Sequence, residues 1–110
     1  MATTYKIIAQ SAPAATTETV IYTVPNSTST VISTLTVCNQ ASTPATYRIA
    51  IRPAADSTTA AKHWIVYGAT IDGSDSTMLT TGTTLAAGDK VIVYASSATM
   101  SFNLSGMEIA

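Results

Sequence analysis

The chain has 110 residues, of which 46% are hydrophobic and only 10% charged, with a formal net charge of -1. An ordinary domain carries about 25% charged residues. The five cations, Lys6, Arg48, Arg52, Lys62 and Lys90, are too few and too scattered to form a basic stripe, which excludes nucleic acid as a partner. No apolar run reaches about 18 residues, so no helix spans a membrane, and residues 1–110 are read as one domain able to bury its own core.

Ser and Thr supply roughly 30% of the chain, and Thr suits a pleated, half-buried surface. Tyr5–Gln10 reads as a short strand. It is too short and too polar, ahead of Ala12-Pro13-Ala14, to be a signal peptide. Residues 11–18 are small and proline-bearing, a linker, so 1–18 is either an edge strand with its connection or an N-terminal arm. Thr19–Val24 is the next strand, with Val20, Tyr22 and Val24 sharing a face until Pro25-Asn26 turns the chain.

Val31–Asn39 and Ala45–Arg52 read as a hairpin linked by the polar segment Gln40-Ala-Ser-Thr-Pro44. Val31, Leu35 and Val37 share one parity with Ser33, and Tyr47, Ile49 and Ile51 share another, opposite Arg48, Ala50 and Arg52. Cys38, the single cysteine, has no internal partner and is expected to be a small core residue. Ala54–Lys62 offers no apolar stripe and is expected to be a loop with at most one helical turn.

His63–Tyr67 reads as a strand ended by Gly68, with Trp64 and Val66 on one face. Asp72–Ser76 is a turn or hairpin tip, and Thr77–Thr81 a short strand. In Leu85–Asp89, Gly88 supplies the turn conformation and Asp89 an acceptor for backbone N–H groups. Lys90–Tyr94 is apolar on both faces. Met100, Phe102 and Leu104 alternate with Ser101, Asn103 and Ser105, and Gly106 permits a bulge before the strand resumes. About eight short strands with a turn every ten residues or so predict an all-β fold: one antiparallel β-sandwich, Ig-like or jelly-roll.

No catalytic constellation emerges. His63 is the only histidine and has no second ligand at metal spacing. There is no Gly-x-Ser-x-Gly elbow, phosphate loop or dinucleotide fingerprint. Asp72 and Asp75 fall short of a calcium loop. The expectation is a non-enzyme without cofactor. Trp64, Tyr67 and Tyr94 raise a carbohydrate-stacking alternative, set against the simpler role of filling a core or an interface.

Six phrases occur in order: Ile21-Tyr-Thr-Val-Pro25, Leu35-Thr-Val-Cys-Asn39, Tyr47-Arg-Ile-Ala-Ile-Arg-Pro53, Lys62-His-Trp-Ile-Val-Tyr67, Leu85-Ala-Ala-Gly-Asp89 and Ser101-Phe-Asn-Leu-Ser-Gly-Met-Glu-Ile109. Together, from Ile21 to Ile109, they resemble small β-rich virion structural proteins of tailed bacteriophages, including phages of cyanobacteria. The resemblance implies a non-enzymatic virion component assembled in the host cytoplasm. Its first form is a capsid decoration or cement protein, a homotrimer seated on the major capsid protein. A tail, baseplate or fibre component and a host-surface carbohydrate-binding module are the alternatives. Low charge agrees with life in an assembly, because little repulsion keeps copies apart. The candidate interface residues are Arg48, Arg52, Trp64, Val66, Ile92 and Tyr94, the arginine pair facing an acidic neighbour.

Overall fold

A computed structural model describes residues 2–110. Eight strands run in chain order: β1 (Thr3–Ser11), β2 (Thr19–Thr23), β3 (Ser29–Asn39), β4 (Ala45–Arg52), β5 (Trp64–Ile71), β6 (Ser76–Leu85), β7 (Lys90–Ala95) and β8 (Met100–Ile109). They form two antiparallel sheets, β1-β8-β3-β6 and β2-β7-β4-β5. This is the strand order of a jelly roll, two four-stranded Greek keys wound over one core. The inward residues of both sheets meet there, with Phe102, Leu35, Val37, Ile49, Val91 and Leu104 fully buried. Phe102 packs edge-on to Tyr47 from the opposite sheet, with ring centroids 6.4 Å apart.

The expected hairpin of β3 and β4 does not exist. β3 lies in the first sheet and β4 in the second, so Gln40–Pro44 crosses the sandwich. The turn after β5 crosses likewise. Only β4 and β5 are consecutive and paired. Residues 3–11 pair antiparallel with β8 and form an edge of the first sheet, the edge-strand alternative of the two that the sequence leaves open.

Asn39 secures the crossings. It is buried, and its amide Nδ2 donates to the carbonyls of Thr43 (2.9 Å), Asp72 (3.3 Å) and Ile71 (3.4 Å). Its Oδ1 accepts from the Ala41 N–H and the Thr99 hydroxyl. One side chain therefore satisfies carbonyls and donors from three connections at one end of the molecule, as a buried amide must.

Bulges correct several parities. An extra residue at Ser33 puts Ile32 in the core beside Leu35, and Val31 on the outer face with Met107. Ile21 bulges in β2, so Val20 pairs with Ile92 on the outer face while Tyr22 turns inward beside Val91. Ile65 and Gly68 are extra residues in β5. β5 accordingly runs through Gly68, whose φ of +77° suits a bulge that other residues reach only with strain. β6 likewise extends to Leu85 through Gly82. β8 does not bulge at Gly106. It stays straight while both neighbours bulge against it at Ile8 and Ser33. Gly106 is needed there because a Cβ would collide with the Val31 carbonyl. Cys38 is half-buried on the outward parity of β3, between Ser101 and Ser76, not in the core.

Candidate functional site

The outer face of the second sheet is built from three registers. Tyr94 of β7, Arg48 of β4 and Tyr67 of β5 lie side by side in the first. The Arg48 guanidinium carbon sits 4.2 Å from the Tyr67 ring centroid, 4.4 Å from that of Tyr94 and 6.0 Å from that of Trp64. It is held between two aromatic faces, an arrangement that delocalised guanidinium accepts better than ammonium. Trp64 meets Tyr67 edge-on at 5.4 Å. Tyr67 is 64% exposed.

The second register is apolar: Ile92, Ala50 and Trp64. Ile92 and Ala50 are 1% and 0% exposed, though they point away from the main core. Together they form a small second core under the face. The third register pairs Arg52 directly with Lys90. Like charges opposite one another on a sheet are destabilising, and among the described residues neither cation has a carboxylate within ion-pair distance. Arg52 donates from Nη1 to the Thr59 hydroxyl at 3.0 Å, and its Nε is buried without a partner among the described residues.

The connection between β4 and β5 returns to this face and is locked there. His63, at the end of a single 3-10 turn (Ala61–His63), is buried. Its Nδ1 accepts the Ala60 N–H at 2.8 Å and its Nε2 lies 2.8 Å from the Asp56 carboxylate. That pattern places the ring proton on Nε2, donating to Asp56. The His63 hydrogen bond, with Lys62 at 3.6 Å, holds the Asp56 carboxyl below the usual range. Both ring nitrogens of His63 are thus occupied, and no serine hydroxyl shares them. Asp89 anchors the start of the same loop: its carboxylate accepts the N–H groups of Ala54 (2.9 Å) and Ala86 (2.8 Å). Beside Trp64 and Tyr67 the loop leaves a cleft of about 490 Å³, with Thr59, Ala60 and Ala61 on its other wall.

Of the six expected interface residues, Arg48, Arg52, Trp64, Ile92 and Tyr94 share this face. Two need correction. Val66 faces inward opposite Ile49, because the Ile65 bulge separates its parity from that of Trp64. Ile92 has the expected direction but is covered, so it supports the surface without offering contact. Tyr67, a candidate for sugar stacking but not for the interface, and Lys90, which was no candidate, complete the site. The apolar parity of β5 hints at Tyr67, whereas Lys90 is placed only by the pairing of β4 with β7.

A second feature is the open side between edge strands β5 and β6. Each pairs with one neighbour only, and neither carries a charged residue. A groove of about 450 Å³ runs there along Ile65, Val66, Met78 and Leu79. Ile65 is 49% and Met78 72% exposed.

A polar network closes the opposite side of the sandwich. The Lys6 ammonium contacts Glu108 at 2.7 Å, the Tyr22 hydroxyl donates to the other Glu108 oxygen at 2.6 Å, and the Thr30 hydroxyl completes the set 2.8 Å from Tyr22. Lys6, then Tyr22, hold the Glu108 carboxyl below its ordinary value. Burial first and Glu108 second push the Tyr22 hydroxyl up to about 12. The network spans both sheets and accounts for these shifts structurally. Among the described residues no three His, Cys, Asp or Glu side chains come together as metal ligands.

No protein-family model, curated protein or solved structure matches this chain.

Proposed function

We propose that the protein is a structural subunit that works by repeated surface contacts, of the virion decoration or cement kind, and not by chemistry. The observation that carries this reading is the uncharged open side. Natural sheets guard their edges with charge, proline or short strands, and β5 and β6 carry no charge along their whole length. An edge of this kind, with Ile65 and Met78 exposed, suits a protein whose edges are covered by neighbours. In a closed, symmetric assembly each such contact repeats, so individually weak interfaces add to a large stabilisation. The jelly roll itself contributes analogy only, since one fold hosts many functions.

Light scattering on the purified protein, followed by sedimentation with pre-formed tailed-phage heads, tests the reading. A discrete oligomer, a trimer in the decoration form, is expected to travel with heads. A monomer that binds no particle, or one that travels with tails alone, contradicts the decoration role. Met78→Lys is expected to weaken oligomer formation while leaving the monomer folded. The cleft beside Trp64 favours the carbohydrate reading, but the Trp64 and Tyr67 rings meet at 70° and so offer no flat platform. A glycan array with hits that Trp64→Ala abolishes would restore it.

A further inference from the structure

We propose that the outer face of β7-β4-β5 is a docking surface for an extended, carboxylate-bearing segment of a partner protein, with Arg48 as anchor and the Arg52–Lys90 pair as second contact. This names the partner chemistry for the assembly role above and rests on that reading.

Three observations converge. First, three of the chain's five cations point from one face: Arg48 and Arg52 alternate along β4, and Lys90 lies directly across from Arg52. None of the three has an internal carboxylate among the described residues, whereas Lys6 and Lys62 do. Opposed like charges cost stability, and a carboxylate laid between Arg52 and Lys90 removes that cost. Second, Arg48 is already oriented. Its guanidinium carbon lies over both the Tyr67 and the Tyr94 ring. Contact with the rings uses none of its N–H donors as hydrogen bonds, and these are left for a bidentate acceptor. The rotamer entropy of a long side chain is then spent before binding. Third, the anchors match an extended chain. Arg48 and Arg52 are four residues apart on a strand, about 14 Å, which is the separation of side chains at i and i+4 on one face of a partner strand. The cleft lined by Thr59, Ala60, Ala61, Trp64 and Tyr67 lies beside Arg48's aromatic neighbours and gives the segment a path off the sheet.

A fluorescent extended peptide of alternating glutamate and threonine is the probe, titrated at low and moderate salt against the whole protein. The expectation is saturable binding that weakens with salt. Arg48→Gln should weaken it about tenfold or more, the scale of a lost charge-assisted hydrogen bond. Arg48→Lys should lose most of the same affinity, because the stacked fork and not the charge alone makes the contact. Arg52→Gln and Lys90→Gln should each cost less, and Lys62→Gln, an equal change in net charge away from the face, should change affinity less than about twofold. Circular dichroism melting checks that each variant is folded. Should Arg48→Gln fail to fold, Arg48→Lys carries the test. The proposal is overturned by no saturable binding at low salt, or by a loss with Lys62→Gln equal to that with Arg48→Gln. It is also overturned by binding of a heparin oligosaccharide but not the peptide, or by self-association that Arg48→Gln abolishes, which would make a second copy the occupant. Because the assay uses isolated protein, it can fail while sedimentation with heads succeeds, and the reverse.

Discussion

The two outer faces of the sandwich differ in kind. On the first sheet, the outward register residues of β8 and β3 are Ser101, Asn103, Ser105 and Met107 beside Cys38, Thr36, Thr34 and Val31, flanked by Tyr5, Ile7, Gln10, Met78 and Thr80. No charge lies among them, and two local bonds tie the face together, Gln10 to Asn103 at 2.7 Å and the Ser33 hydroxyl to the Ser105 carbonyl at 3.0 Å. On the second sheet, three cations, three aromatic rings and a small buried core occupy a surface of similar extent, with a loop locked over one end. The first face is uncharged and offers hydroxyls and exposed apolar side chains, Tyr5 and Ile7 among them. The second holds oriented donors and opposed charges that its own chain does not satisfy. In a chain with so little charge, that concentration is what singles this face out for the docking proposal.

Breaking what the two faces share should have the largest effect. Phe102→Ala removes the ring at the centre of the common core and is expected to cost about 3–5 kcal/mol in urea unfolding. Gly106→Ala forces a Cβ into the Val31 carbonyl and acts on the first sheet alone. It is expected to cost about 1–3 kcal/mol, with faster hydrogen exchange along β3. His63→Ala acts on the second face alone. It empties the buried site of the ring and leaves the Ala60 N–H and the Asp56 carboxylate without their partner, at about 1–3 kcal/mol. Exchange and proteolysis should rise over residues 54–62 and not in the first sheet.

Acid should weaken the network of Lys6, Glu108 and Tyr22. Glu108 titrates lower folded than its ordinary 4.5, so its contribution is complete above 4.5 and lost as pH falls through the folded value. Tyr22 works in the opposite sense. With its value raised from 10.0 to about 12, stability is held below 10.0 and falls as pH climbs through about 12. Urea midpoints measured against pH should show both limbs, and Glu108→Gln should remove most of the acid limb contributed by this network. The smallest effect is expected from Thr36→Ser on the first face, within about 0.5 kcal/mol and without change in peptide affinity.

The strands were legible because Pro25, Pro53, Gly88 and the polar links punctuate them. Strict alternation read β8 and the first half of β4 correctly: Met100, Phe102, Leu104, Tyr47 and Ile49 are all buried. It failed at Ile21, Ser33 and Ile65, where one extra residue reverses every parity beyond it and no local residue type announces the bulge. It also could not reveal that Gln40–Pro44 crosses between sheets, because a strand's periodicity names its buried face and not its partner. Arg48 and Arg52 stood out as charges in an apolar run. Tyr67 and Tyr94 stood out as aromatics too, but their place on either side of Arg48 did not, since β5 and β7 become its neighbours only through pairing across the chain. In the sequence Asn39 is simply the last residue of a strand, and its place at the crossing of three connections belongs to the topology.

Electron microscopy of pre-formed tailed-phage heads incubated with the protein tests the central claim most directly. The account predicts a small jelly roll seated on the particle with the outer face of β7-β4-β5 against its neighbour, one carboxylate on Arg48 and another between Arg52 and Lys90. Contact made instead through the hydroxyl-rich face of β8 and β3, with Arg48 left in solvent, would contradict it.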